Sequence, residues 1–233
     1  MSPTVLRNLI LSVALPALLS AAPDGWKERF DVPAGNFSST GKNKYFSIEP
    51  GYELVLEGEE RGKKTSLVIT VLEETKMVDG VETRVVEERE SLGGVPLEVS
   101  RNFFAISKQT NSVFYFGEEV DIYRNGKLVN HEGAWLSGEK GAKFGLMMPG
   151  IVLLGARHYQ EIAPGEAMDR AEIVSITETF QTPAGEFTNC LKVEETTPLE
   201  PDEKEYKRYA RGIGLVQDGS LKLVKYGKDA ASR

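Results

Sequence analysis

The stretch "HYQEIAPGEAMDRAEI", residues 158–173, concentrates polar side chains that could act together. The candidate cluster within it has three carboxylates and two other polar groups: Glu161, Asp169, Glu172, Gln160 and Arg170. A turn at Pro164-Gly165 would make the stretch a hairpin and bring several of these groups together across the strand pair. Such a cluster could hold the polar end of a ligand, or it could be a network of charge pairs on an outer surface.

An interrupted apolar segment lies directly before this cluster. In "GEKGAKFGLMMPGIVLLG", residues 138–155, five glycines and a proline break an apolar run. The segment is too broken for one continuous strand and too apolar for a solvated loop, so we expect it to lie across the sheet or plug one end. There it would form the wall of a site, together with a nearby tryptophan: Trp135, Phe144, Leu146, Met147 and Met148.

Wall and polar cluster together define a candidate ligand site, because ligand pockets are mostly apolar with a few polar groups. The candidate ligand-binding residues are Trp135, Phe144, Met147, Met148, His158, Gln160, Glu161 and Asp169. A hydrolase working through Glu161 and Asp169 is an alternative. Carboxylate pairs are nevertheless expected by chance in a chain with 35 acidic residues.

No catalytic residue is predicted. The two histidines, His131 and His158, belong to no hydrolase or metalloprotease motif, and the chain has no phosphate-binding loop. Met147, Met148 and His158 combine thioether and imidazole groups, which suit copper. Adjacent methionines in an apolar run are more typical of packing, so neither a metal site nor a cofactor is predicted.

The elements that would position these residues are predicted to be β-strands. From Tyr52 onward, short runs rich in Val, Ile, Thr, Tyr and Phe are separated by turn residues. We expect an all-β fold in which about ten antiparallel strands form a meander that curves into a sheet or a partly open barrel, with few or no helices. Asp79-Gly80 and Asn125-Gly126 are predicted to be tight hairpin turns.

Three carboxylates, Glu118, Glu119 and Asp121, follow the aromatic run "SVFYF". A calcium loop supplies oxygen ligands at alternate positions and a closing glutamate, and this stretch lacks both. We therefore expect a solvated, negatively charged bend here.

The N-terminus has the pattern of a secretory signal peptide. Arg7 precedes an apolar run from Leu9 to Leu19, and small residues lead to a cleavage site after Ala22. We therefore expect a secreted or periplasmic protein. No later stretch is apolar enough to span a membrane, so no integral membrane segment is predicted after cleavage.

The net charge and cysteine content of the chain further limit the kinds of partner that it could bind. The net charge of −7 disfavours nucleic acid, because phosphate binding requires basic clusters. Cys190 is the only cysteine, which excludes an intrachain disulfide and predicts a small buried apolar side chain. The remaining partners are an apolar or amphipathic small molecule, or another exported protein.

One folded domain is expected. The predicted boundaries are a signal peptide at residues 1–22, a flexible N-terminal arm at 23–43, a β domain at 44–227 and a disordered tail at 228–233. The arm is predicted from its content of Gly, Ser, Pro and Asn.

A second candidate surface lies in "EYKRYARG", residues 205–212, where basic residues alternate with Tyr206 and Tyr209. A basic, aromatic face could stack on sugars or pair with the acidic groups of a partner protein. An amphipathic strand with partly buried basic side chains is the more common structure for such a pattern.

A series of phrases runs from Lys44 to about Val216: "KYFSIEPGYELVLEG", "ETKMVDGVETRVVEERE", "VFYFGEEV", "YRNGKLVNHEGAW", "GAKFGLMMPG", "YQEIAPGEAMDRAEI", "TPAGEFTNCLKVEETTPLEP" and "YARGIGLV". Together they resemble a family of uncharacterised secreted bacterial proteins rich in β-structure. The resemblance implies an exported, mainly β protein and no established reaction. The "TPAGEF" hairpin leading into "CLKVEE" is also similar to one in periplasmic proteins of the lipoprotein-carrier type, which are half-open barrels around an apolar groove. That similarity concerns the fold alone.

Three functional hypotheses follow. The leading one is a non-enzymatic exported protein that holds an apolar or amphipathic ligand in a curved sheet. The second is a structural or interaction module without a small ligand, which would use a sheet edge or residues 206–211 against another exported protein. The third is the carboxylate hydrolase.

Overall fold

The computed structural model describes residues 25–60 and 62–228. The predicted signal peptide lies outside these residues, as does the predicted tail apart from Lys228. Within the described ranges, no helix is long and apolar enough to cross a membrane.

The described chain is built almost entirely of strands, and a three-residue 3-10 turn at Ala34–Asn36 is its only helical element. The strands are β1 (Phe37–Ser38), β2 (Tyr52–Glu60), β3 (Lys63–Val78), β4 (Val81–Leu92), β5 (Val95–Ser107), β6 (Val113–Arg124), β7 (Lys127–Asn130), β8 (Trp135–Leu136), β9 (Lys143–Met148), β10 (Arg157–Tyr159), β11 (Glu161–Ile162), β12 (Arg170–Thr182), β13 (Gly185–Thr197), β14 (Glu200–Ala210), β15 (Gly214–Asp218) and β16 (Leu221–Lys228). The predicted all-β class is confirmed. The strand count exceeds the expected ten mainly because several strands have only two to four residues.

Thirteen of the strands form one antiparallel path in the order β10-β12-β13-β14-β15-β16-β2-β3-β4-β5-β6-β9-β11. The remaining three pair at its side, β1 on β5, and β7 and β8 on β6. The two ends of the path, β10 and β11, are separated in sequence only by Gln160. The sheet therefore curls into a nearly closed barrel, and the chain around Gln160 is where its two ends meet.

Tight turns between long strands set the register, as the sequence predicts. Val78 pairs with Val81 around Asp79-Gly80, and both turn residues have positive φ (50° and 74°). Asn125 and Gly126 form the equivalent turn between β6 and β7. Turns of this type match the natural twist of two antiparallel strands, so they fix which side chains face each other.

The two faces of the sheet carry separate apolar cores. Inside the barrel the core includes Leu54, Leu56, Leu67, Val71, Val86, Tyr115, Ile173, Leu191, Val193, Val216 and Leu223. The outer core lies on β3 to β6 and consists of Phe37, Val78, Val81, Val85, Phe103, Ala105, Phe114 and Phe116. Because successive side chains of a strand point to opposite faces, the run "VFYF" supplies both cores at once.

Part of the segment predicted to be a flexible arm packs against the outer face, where Phe30, Val32 and Phe37 join the outer core. Phe37 is buried there, and its ring contacts Phe114 and Phe116 edge-on. Phe30 adds a further edge contact on Phe114, and β1 pairs with the end of β5. Aromatic burial of this kind outweighs the flexibility that its Gly, Ser and Pro content suggests.

The interrupted segment splits into a short strand and an ordered loop. In β9 a register shift lets Met147 and Met148 both contribute to the inner side, while Leu146 stays on the outer side. Gly145 permits close approach of the next strand, because a Cβ there would lie 2.2 Å from the carbonyl oxygen of Gln160. The segment thus joins the barrel wall instead of lying across the sheet.

Candidate functional site

A polar cavity, here called the acidic chamber, lies inside the barrel. It encloses about 580 Å³ of empty space, part of which opens to solvent. Its ionisable lining comprises six carboxylates and one ammonium group: Glu88, Glu98, Glu118, Glu161, Asp169, Glu195 and Lys207. Neutral polar groups complete it, namely Ser100, Asn102, Tyr115 and Gln160.

Strand alternation explains why these residues meet. Glu88 stands two positions after buried Val86 on β4, and Glu195 stands two positions after buried Val193 on β13. Each therefore points to the same inner face as the core residue before it. On β6, Gly117 has φ 128° and sits opposite Leu136, so the chain shifts locally before Glu118.

Glu195 is a buried carboxylate of the chamber and has two polar partners. It is only 8% exposed. Its Oε1 accepts a hydrogen bond of 3.0 Å from Nε2 of Gln160, and its Oε2 lies 2.8 Å from Nζ of Lys207. One charged partner and one amide thus satisfy a buried group that would otherwise be costly to desolvate.

The backbone around Gln160 holds this arrangement in place. The amides of Gln160 and Glu161 both donate to the carbonyl oxygen of Asp169, at 2.8 and 3.1 Å. The predicted turn at Pro164-Gly165 forms, with Ala163 paired to Ala167. The hairpin therefore brings Gln160, Glu161 and Asp169 to one place, as the sequence predicts.

Burial raises the pKa of several chamber carboxyls. The pKa of Glu118 rises from 4.5 to about 8, first because of desolvation and then because of the nearby charges of Glu98 and Glu88. The pKa of Glu161 is held well above its ordinary value by burial and by repulsion from Glu118. Desolvation also raises the pKa of Glu88 to about 7, although Lys207 opposes the rise. At neutral pH, Glu118 therefore retains its proton.

Lys207 remains charged in this environment. Burial alone would lower its pKa, but Glu195 and Asp218 hold the pKa well above its ordinary value. Its ammonium group lies 2.8 Å from Glu195 and 3.9 Å from Asp218. Lys207 is therefore already engaged and leaves the other carboxyls of the chamber without a cation of their own.

A second cavity, here called the apolar chamber, adjoins the first and encloses about 570 Å³ including its mouth. Its apolar lining is Phe46, Tyr52, Leu54, Ile69, Val71, Val86, Met147, Tyr209, Ile213 and Leu215. The two chambers share Glu88, Met147 and Lys207. The two chambers are therefore adjacent, with the apolar chamber on one side of these three residues and the acidic chamber on the other.

A third cavity, here called the side pocket, shares Glu118 with the acidic chamber. Trp135 and Glu118 both line it, together with Ala163 and Pro164. Trp135 pairs with Glu118 between β8 and β6, so both side chains lie on the inner face. The indole is 6% exposed and its ring contacts Tyr115 edge-on at 5.4 Å, but its Nε1 has no hydrogen-bond partner in the part of the chain that the structure describes.

Four of the predicted ligand-binding residues line the acidic chamber or the side pocket: Trp135, Gln160, Glu161 and Asp169. Met147 lines both main chambers, whereas Met148 is fully packed in the inner core. Phe144 lies on the opposite face, where its ring stacks on Phe116. Phe144 therefore lies outside the predicted wall of the ligand site.

His158 lies beside the chamber without lining it. It is 3% exposed, and burial lowers its pKa to about 4, so it is neutral at physiological pH. It pairs with Ala171, which pairs in turn with Glu195, so all three lie on the inner face. Its Nε2 has no hydrogen-bond partner among the described residues.

The other members of the predicted polar cluster point outward. Glu172 accepts a hydrogen bond of 2.8 Å from Arg157, and the guanidinium of Arg170 lies 4.5 Å from the centre of the Trp26 ring. The hairpin thus supplies both a site and a surface charge network, one on each face of its strands.

Sequence reasoning missed Glu88, Glu98, Glu118, Glu195 and Lys207 as site residues. Glu118 was predicted to lie in a solvated bend, but it faces the barrel interior. The strand "EYKRYARG" was predicted to present one basic, aromatic face, but Lys207 and Tyr209 point inward while Tyr206 and Arg208 point outward. The sequence signal that could have revealed them is the alternation of side chains between the two faces of a strand. Each missed carboxylate of β4 and β13 follows a core residue by two positions and therefore shares its face.

The described residues provide no metal centre. No group of three or more His, Cys, Asp or Glu side chains in residues 25–60 and 62–228 has the geometry to hold an ion. Cys190 is fully buried, as predicted, and burial raises the pKa of its thiol.

The loop after β9 presents aliphatic side chains to solvent. Ile151, Leu153 and Leu154 are 78%, 65% and 63% exposed. Backbone hydrogen bonds order the loop, since Ser112 Oγ accepts from the amide of Gly150 and Ile173 accepts from that of Gly155.

Comparisons of the chain with protein-family models, with curated proteins and with solved structures find no match. The resemblance to a secreted bacterial family therefore stays a prediction from the sequence phrases.

Proposed function

We propose that this chain is a non-enzymatic binding protein that holds a small amphipathic ligand inside its barrel. The observation that carries the proposal is the adjacency of the apolar and acidic chambers, which share Glu88, Met147 and Lys207. A ligand lying across these residues would place its apolar part among aliphatic and aromatic side chains and its polar part among hydrogen-bonding groups. Binding sites for small molecules have this composition.

The framework around the chambers supports the proposal. The strands that line them are joined by tight turns, and the outer aromatic core braces β5 and β6 from behind. A rigid wall reduces the entropy that binding would otherwise cost.

We further propose that the protein acts in the periplasm or outside the cell. The support is the sequence of residues 1–22, with its apolar run and small-residue cleavage site. Fractionation of cells expressing the full chain tests this: export predicts a shortened protein beginning after Ala22 outside the cytoplasm, and a full-length cytoplasmic protein would contradict it.

Native mass spectrometry of the protein purified from cells that express the full chain tests the binding function. A discrete mass above that of the denatured chain is the expected result. Substituting Ile69→Phe, which fills part of the apolar chamber, should remove the excess mass. Val68→Phe is the matched control, because the neighbouring side chain lies on the other face of β3.

A mass equal to that of the bare chain in every preparation would argue against a retained ligand. It would favour the interaction module, and Ile151, Leu153 and Leu154 would then be the first side chains to substitute.

A carboxylate hydrolase is the second candidate, favoured by the raised pKa values of Glu161 and Asp169. A protonated Glu161 could donate a proton to a leaving group while an ionised carboxylate activates water. Incubation of the protein with a panel of chromogenic glycosides tests it: turnover that disappears in Glu161→Gln would establish the enzyme, and absence of turnover would favour the binding protein.

A further inference from the structure

We propose that the ligand carries a protonated amine, which sits among the carboxyls of the acidic chamber, and a hydrogen-bond acceptor next to it, which binds the indole N–H of Trp135. This inference rests on the proposed binding function and adds the chemical class of the ligand: a small amphipathic amine with a neighbouring hydroxyl or carbonyl oxygen.

The first support is the imbalance of charge in the chamber. Carboxyls enter it from β4, β5, β6, β11 and β13 and from the end of the turn before β12, whereas Lys207 is the single cation among the described residues that line it. Lys207 is engaged by Glu195 and Asp218. Within the described residues, Glu98, Glu118 and Glu161 form no ion pair.

This imbalance favours a positively charged ligand over a neutral or negatively charged one. A carboxylate ligand would meet repulsion from the carboxyls that stay ionised, and a neutral ligand would leave the buried carboxyls as they are. An ammonium group would pair with ionised carboxyls in a site that is partly shielded from water, where such pairs are stronger than in solution. A bound cation would also lower the raised pKa values of Glu118 and Glu161, so that proton release from these carboxyls accompanies binding.

The second support is Trp135, which is independent of the carboxylates. Its side chain is 6% exposed and shares the inner face and the side pocket with Glu118, yet its Nε1 donates to no acceptor in residues 25–60 and 62–228. Buried donors in folded proteins are nearly always paired, because an unpaired one loses its hydration without compensation. A ligand oxygen beside the amine would supply the missing acceptor.

An organic cation fits the chamber better than a metal ion. The carboxyls enter from different strands, and within the described chain no three of them converge in ligand geometry. Calcium would require six or more oxygens around one point. An ammonium group needs only a few acceptors and tolerates a wider spacing.

Isothermal titration at pH 7 with four probes of matched structure tests the proposal: hexylammonium, hexan-1-ol, hexanoate and methylammonium. Hexylammonium should bind about tenfold more tightly than hexan-1-ol, since one charge-assisted contact distinguishes them, and hexanoate should bind most weakly. Equal binding of hexylammonium and hexan-1-ol would overturn the amine assignment while leaving the binding function intact. Equal binding of methylammonium and hexylammonium would support the amine site but contradict the apolar chamber.

Two variants test whether the amine of the ligand binds at the carboxyls of the acidic chamber. Glu161→Gln removes a carboxyl of the chamber and should reduce hexylammonium affinity about tenfold. Glu172→Gln is the matched control, since that carboxyl pairs with Arg157 on the outer surface and should leave affinity unchanged. Equal losses in both variants, or no loss in either, would overturn the assignment.

A third variant tests the indole. Trp135→Phe should weaken binding of 2-aminohexan-1-ol, whose hydroxyl adjoins the amine, more than it weakens binding of hexylammonium. A ratio of the two affinities that is the same in wild type and variant would refute the role of the indole N–H. Circular dichroism of each variant confirms that the fold is retained.

Discussion

Glu118 offers a quantitative test of the acidic chamber, because its carboxyl should make the folded protein less stable as pH rises. Below pH 4.5 the carboxyl is protonated in both the folded and the unfolded chain. Between pH 4.5 and about 8 the unfolded chain releases the proton while the folded chain retains it. The free energy of unfolding therefore falls across this window and levels off above it.

The size of this loss of stability follows from the shift in the pKa of Glu118. A rise from 4.5 to about 8 corresponds to an upper limit of about 5 kcal/mol, at about 1.4 kcal/mol for each pH unit. Water enters the open chamber and screens the charge, so we expect about 2 to 3 kcal/mol. Loss of Glu118 also relieves Glu161, whose pKa it raises, and this acts in the same direction.

The variant Glu118→Gln, measured by urea unfolding at pH 5 and pH 9, tests this reasoning. At pH 5 its stability should be within about 1 kcal/mol of wild type, the size of a single hydrogen bond. At pH 9 it should exceed wild type by about 2 to 3 kcal/mol. Glu119→Gln is the control, because Glu119 is exposed and pairs with Lys76 on the outer surface. A stability difference between Glu118→Gln and wild type that is the same at both pH values would refute the account of the chamber.

Three further predictions concern the framework. Gly145→Ala should lower the free energy of unfolding by more than about 3 kcal/mol, because the added Cβ would lie 2.2 Å from a carbonyl oxygen. Gly35→Ala is the control in the same urea titration. Its added Cβ would contact no other atom, so the free energy of unfolding should change by less than about 1 kcal/mol. Arg84→Met should lower the free energy of unfolding by about 3 kcal/mol, because the buried guanidinium donates to backbone carbonyls that would lose their partner. Arg89→Met, at an exposed position, should lower it by less than about 1 kcal/mol. Equal losses in the two variants would contradict this prediction. Cys190 should react with a thiol reagent only after unfolding, and rapid labelling of the native protein would show that it is not buried.

Local patterns in the sequence were sufficient to predict the fold class and the main turns. Asp79-Gly80 and Asn125-Gly126 form the expected hairpins, because the positive φ that such a turn requires is available to Asn, Asp and Gly. The hairpin after His158 could be predicted for the same reason, and with it the meeting of Gln160, Glu161 and Asp169.

The opposite wall of the site could not be predicted in this way. Glu88, Glu118 and Lys207 reach the chamber from strands far apart in sequence, and their convergence depends on how the barrel closes. Strand alternation shows that Glu88 shares a face with Val86, but it does not show which face of a curved sheet encloses a cavity. The placement of Phe144 failed for a related reason: the N-terminal segment covers the outer face and gives it an apolar core of its own.

The central claim, that a small amphipathic amine binds inside the barrel, is tested most directly by NMR of methionine methyl groups during titration with hexylammonium. Met147 lines both chambers, whereas Met77 is 63% exposed on the outside of the barrel and serves as an internal control. The account predicts a saturable shift of the Met147 methyl signal with Met77 unchanged. A spectrum in which Met147 does not respond while Met77 shifts, or in which neither signal moves, would contradict it.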